Sequence, residues 1–71
     1  MTKLQLRIMR EAKAIKRATG GKVRLSKLGD EFFNLYIDGK HTEMLYIPQT
    51  VGFIQGWRVA NGLPLAVLIN C

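Results

Sequence analysis

Apolar residues recur with a helical period at the start of this chain. Leu4, Ile8, Ala12 and Ile15 fall on one stripe at about 100° per residue. The segment is rich in Leu, Met, Ala, Glu, Lys and Arg and lacks Gly and Pro. The pattern predicts a helix from about Thr2 to Thr19, capped by Thr2 and stopped by Gly20-Gly21, where glycine takes a left-handed cap without steric cost. The period then falls to two. Val23 and Leu25 alternate with Lys22, Arg24 and Ser26, predicting a strand over Lys22–Leu28. After a Gly29-Asp30-Glu31 turn, Phe33, Leu35 and Ile37 share one face of a second strand, Phe32–Asp38, with Phe32, Asn34 and Tyr36 on the other. A three-residue loop pairs Val23 with Ile37 and Leu25 with Leu35, and sets Arg24 opposite Tyr36. Asp38-Gly39 is a type I′ hairpin signal and leads into a third strand, Lys40–Tyr46.

Pro48 and Thr50 introduce a second helix, to about Asn61, in which Val51, Phe53, Ile54, Trp57 and Val59 are apolar and Trp57 is a core candidate. Gly52, Gly56 and Ala60 recur at i, i+4 and i+8, leaving one side nearly bare. A helical glycine costs roughly 0.5–1 kcal/mol relative to alanine, and close approach to the sheet or to the first helix is the simplest reason for two. Asn61-Gly62 and Pro64 end the helix. Leu65–Ile69 is a short unbroken apolar run whose length favours a buried strand. The expected order is α-β-β-β-α-β: an α+β fold, a single domain over residues 1–71, with a mainly antiparallel sheet of three to four strands and two helices packed on one face.

Composition narrows the chemistry. The chain has 71 residues, 48% of them apolar, which argues against disorder. Cys71 is the only cysteine and His41 the only histidine, so no intrachain disulfide forms and a zinc site lacks ligands. A lone cysteine suits a reducing compartment, with Cys71 an inert tail residue. Six basic residues between Lys3 and Arg17 interrupt any signal-peptide apolar region, and a cytoplasmic location is expected. From Met44 to Ile69 the only charge is Arg58. Even so, Pro48, Gln49, Gln55, Arg58, Asn61 and Pro64 break the ~18-residue apolar run that a membrane span needs, and no membrane partner is expected.

No catalytic set is legible. Ser26 has no nucleophile elbow, and Asp38, His41 and Glu43 crowd a solvated hairpin tip. Asp30 and Glu31 are adjacent turn residues, and Gly20-Gly21-Lys22 lacks the upstream glycine of a phosphate loop. The reading is a non-enzyme with no cofactor and no metal.

Charge points elsewhere. The net charge is +6 and the pI near 10.0. The first helix carries Lys3, Arg7, Arg10, Lys13, Lys16 and Arg17 against Glu11 alone, so +5 of the +6 resides there. Such a face tracks a phosphate backbone or an acidic protein surface. Leu6 and Met9 lie within its arc, as apolar anchors or as contacts to the rest of the fold. Lys22, Arg24, Phe32 and Tyr36, with Tyr46, form a second contact face on the outside of the sheet. Cations interleaved with aromatics resemble a base-stacking platform, unless Leu65–Ile69 or a second subunit covers them.

The α-β-β-β-α order is similar to that of a double-stranded-RNA-binding domain. That family opens its second helix with lysines, whereas Pro48-Gln49-Thr50-Val51-Gly52 stands here, so its phosphate contact is missing. The hairpin followed by Phe53-Ile54-Gln55-Gly56-Trp57 resembles small bacteriophage accessory proteins, over about a third of the chain. That resemblance implies a protein that acts by binding a host component, a class that includes inhibitors of CRISPR and other defence complexes. The expected function is nucleic-acid binding through the basic helix. The alternatives are a phage-type inhibitor of a host protein or nucleoprotein complex, and a structural protein that dimerises along Leu65–Ile69.

Overall fold

The computed structural model describes residues 2–69; Cys71, read above as an inert tail residue, lies outside them. The elements are α1 (Lys3–Ala18), β1 (Val23–Leu28), β2 (Phe32–Ile37), β3 (Lys40–Tyr46) and α2 (Ile47–Ala60). This is an α+β fold with the expected α-β-β-β-α order.

A reciprocal capping box starts α1. Thr2 Oγ1 accepts from the Gln5 backbone N–H at 3.1 Å, and Gln5 Oε1 accepts from the Thr2 backbone N–H at 2.9 Å. Gln5 is buried, and its Nε2 donates to the Asp30 carbonyl at 2.6 Å, fastening the start of α1 to the β1–β2 turn. At the other end Gly20 takes φ +63°, and the Gly21 N–H reaches back to the Lys16 carbonyl at 2.7 Å, the six-residue closure of a Schellman motif.

The sheet is antiparallel in the order β1-β2-β3. The β1–β2 register pairs Val23 with Ile37, Arg24 with Tyr36 and Leu25 with Leu35, as the alternation predicts. Asp38 (φ 54°) and Gly39 (φ 78°) both have positive φ, as a type I′ turn demands. The β2–β3 register is interrupted. Leu35 pairs with Glu43 but Tyr36 pairs with His41, so Thr42 is an unpaired extra residue, a β-bulge.

Ile8 and Ile15 of α1, Phe33 of β2, Ile54 of α2 and Leu68 form the buried core, with Met9, Val23, Leu25, Ile47 and Trp57 packed around it. Both helices lie on the sheet face that carries Phe33 and Leu35. There α1 packs over β1, and α2 packs against β2 and β3. Among the described residues no helix is long and apolar enough to cross a membrane.

Two expectations are corrected. The sixth element is not seen as a strand: residues 63–69 run without regular structure. Leaving the end of α2 on the helix side, the segment finds side chains rather than a neighbouring strand for its backbone. The Gln55 amide donates to the Ala66 carbonyl and accepts from the Ala66 N–H, both at 2.8 Å. Arg58 Nε donates to the Pro64 carbonyl and Arg7 Nη1 to the Ile69 carbonyl, both at 2.6 Å. Burial alternates from Leu65 to Ile69, with Ala66 and Leu68 inward and Leu65, Val67 and Ile69 outward. Nor do Gly52 and Gly56 mark a close approach. Both are exposed, and a Cβ on either would meet nothing within 4 Å. The bare side of α2 faces solvent, because its buried side is set by Thr50 and Ile54.

Candidate nucleic-acid interface

The helical period splits the cations of α1 into three groups. Lys13 and Lys16 project along the flank that faces β1, while Lys3, Arg10 and Arg17 run along the exposed crest. Arg7 lies on the other flank. It is partly buried and donates to the Ile69 carbonyl, so it holds the C-terminal segment instead of standing free in the basic face. Glu11, the helix's one acid, sits on that same far flank, paired with Arg58 Nη1 of α2 at 2.8 Å.

The β1 flank is a built feature. A groove of about 460 Å³ runs between α1 and β1, with Met9, Ala12 and Leu25 contributing apolar surface and Lys13, Lys16, Arg24 and Lys27 contributing charge. It adjoins a second depression of about 410 Å³ at the Gly20-Gly21 turn, which shares Lys13 and Lys16 and adds Arg17. No carboxylate lines either one. Among the described residues the ion pairs are Arg58–Glu11 and Lys27–Asp30. The latter is a 3.7 Å contact to a carboxylate that is 94% exposed, and such pairs hold little charge back from a partner. Lys13, Lys16, Arg17 and Arg24 therefore present unpaired charge from two elements toward one channel.

The outer face of the sheet is open. The C-terminal segment lies against the helices, with Leu68 in the core, and does not cover Phe32 and Tyr36 as one expectation had it. Three cross-strand rungs make up this face: Arg24–Tyr36–His41, Ser26–Asn34–Met44 and Leu28–Phe32–Tyr46. Phe32 and Tyr46 rings are tilted at 42° with centroids 4.7 Å apart. Tyr36 and His41 meet edge to face at 5.5 Å, and His41 Nε2 lies 3.1 Å from Asn34 Oδ1. Lys22 flanks the first rung, exposed beside the hairpin.

The expected second face of Lys22, Arg24, Phe32 and Tyr36 is thus assembled, and it extends to Tyr46, His41 and Met44. Sequence reasoning placed His41 at a solvated tip with Asp38 and Glu43. Strict alternation from buried Leu45 would put it on the helix-covered face. The Thr42 bulge turns it to the aromatic side and leaves Glu43 opposite Leu35 on the other. Leu6 is 45% exposed within the basic crest, whereas Met9 is partly buried and lines the groove. Comparison of the chain with protein-family models, with curated proteins and with solved structures finds no match.

Proposed function

We propose that this chain is a small non-enzymatic binding protein that holds nucleic acid by its phosphate backbone, through Lys13, Lys16 and Arg17 of α1 with Arg24 and Lys27 of β1. One observation carries the reading: cations from a helix and a strand converge on two adjoining grooves that no carboxylate lines. Low-dielectric walls and one sign of charge focus the field there and attract a polyanion. Each phosphate neutralised releases condensed counterions. Lysine and arginine contacts of this kind set position on the strand and carry little sequence information.

The test is binding of a labelled oligonucleotide, followed by fluorescence anisotropy, for the triple variant Lys13→Gln, Lys16→Gln, Arg24→Gln. All three side chains are exposed, so the fold survives their change. Affinity should fall at least tenfold, with Lys40→Gln, on a different edge of the sheet, as the near-neutral control. Equal losses in triple variant and control would remove the reading.

A second reading is a phage-type inhibitor that occupies an acidic surface on a host protein or nucleoprotein complex. Leu6, exposed among Arg10, Lys13 and Arg17, favours it, since apolar anchors ringed by cations suit a protein interface. Leu6→Ser should then weaken a stoichiometric protein complex and leave oligonucleotide binding unchanged. The outward Leu65, Val67 and Ile69, at 64%, 68% and 56% exposure, favour the assembly of two copies along that segment. A dimer that persists in Val67→Glu by sedimentation excludes that edge.

A further inference from the structure

We infer that the nucleic acid this protein takes is single-stranded, and that its bases stack on the open face of the sheet. The inference rests on the phosphate reading above and names the form of its ligand.

Continuity is the first argument. Arg24 and Tyr36 pair across β1 and β2, and both line the basic groove while belonging to the open face. A strand whose phosphates lie along Lys13, Lys16 and Arg24 therefore has its bases beside Tyr36. The guanidinium also offers a planar cation for stacking against a base.

The second argument is the distribution of rings. Tyr36–His41 and Phe32–Tyr46 are two aromatic pairs at opposite ends of one face, four residues and roughly 13 Å apart along β2. Each is wide enough to carry its own base. Between them Asn34, partly buried, supplies an amide, the group that reads donor and acceptor edges of an unpaired base.

The third is that the face is uncovered and free of acids. Tyr46 is 55% exposed and Met44 47%, and no acid lies on the three rungs. An acidic peptide would satisfy the groove but leave the two ring pairs unused. A duplex presents the same phosphates but keeps the faces of its bases stacked inside. A single strand alone offers phosphates and base faces together.

The experiment measures the affinity of the intact chain for a short labelled oligothymidine, an oligouridine of equal length and a DNA duplex of equal length, each over a salt series. Wild type should bind a single strand more tightly than the duplex. Preference for either strand type supports the inference, and the two together say which sugar is favoured. In Phe32→Leu, Tyr46→Leu, which keeps apolar area on the face, single-strand affinity should drop about 5- to 150-fold for one lost stacked base. Its salt slope and duplex affinity should stay as in wild type. Tyr36→Leu is the second variant, read the same way if circular dichroism finds the first unfolded.

Equal affinity for strand and duplex, with silent leucine variants and a retained salt slope, would overturn stacking and leave phosphate binding intact. Absence of binding at low salt to all three probes would overturn both.

Discussion

Arg58 closes on Glu11 across the α1–α2 interface at 2.8 Å, with side chains only 19% and 22% exposed. The pair neutralises the one acid of α1 on the flank away from β1, so nothing on the helix opposes Lys13 and Lys16. Arg58 has a second task, since its Nε holds the Pro64 carbonyl. Losing the acid should therefore cost about 1 kcal/mol, and losing Arg58 about 2 kcal/mol. Urea denaturation of Glu11→Gln and Arg58→Ala checks the order. Glu11→Gln should leave oligonucleotide binding nearly unchanged, because the lost acid is already paired with Arg58 on the flank away from the groove.

Gly52 and Gly56 sit on the solvent side of α2 with open space where a Cβ would go. Neither has a positive φ. Alanine at each should stabilise the fold by about 0.5–1 kcal/mol, by reducing the freedom of the unfolded chain. A raised urea midpoint is expected; a lowered one would mean that the stripe is packed.

Thr42 is the residue β3 has in excess. Removing it leaves Glu43 opposite Leu35, His41 opposite Tyr36 and Lys40 opposite Ile37 without interruption. The deletion should fold with stability within about 1 kcal/mol of wild type and keep the Tyr36–His41 ring contact in nuclear Overhauser spectra. Loss of that contact would show that the bulge has another purpose.

The C-terminal segment makes a sharp contrast between neighbours. Leu68 belongs to the core and Val67 is 68% exposed. Leu68→Ala should cost about 2–3 kcal/mol and Val67→Ala less than about 0.5 kcal/mol. Similar losses at both positions in a thermal melt would contradict the alternation seen there.

These particulars also show where the sequence was readable. The Gly20-Gly21 stop, the Asp38-Gly39 turn and the Val23–Ile37 register were legible because each depends on local backbone freedom or on side-chain period, both of which are written in neighbouring residues. Four features were not. The bulge is one inserted residue, and alternation on either side of Thr42 reads as one strand. The apolar run Leu65–Ile69 reads as a buried strand, whereas Leu68 is buried, Leu65, Val67 and Ile69 are exposed, and the run's backbone is satisfied by the side chains of Gln55, Arg7 and Arg58, which no periodicity reveals. The glycine stripe suggests a contact because bare helix faces permit one, whereas Thr50 and Ile54 turn that face outward. Arg7 looked like one more cation of the basic arc until its carbonyl partner was seen 62 residues away in sequence. The basic groove was half legible: the helix cations were plain, but their meeting with Arg24 and Lys27 of β1 needed the tertiary fold.

The most direct test of the central claim is the salt dependence of wild-type binding to a labelled single strand. With Lys13, Lys16, Arg17, Arg24 and Lys27 each meeting a phosphate, the logarithm of affinity should fall against the logarithm of salt concentration with a slope of about −3 to −4. A slope near zero, or no binding at low salt, would contradict phosphate recognition by this groove.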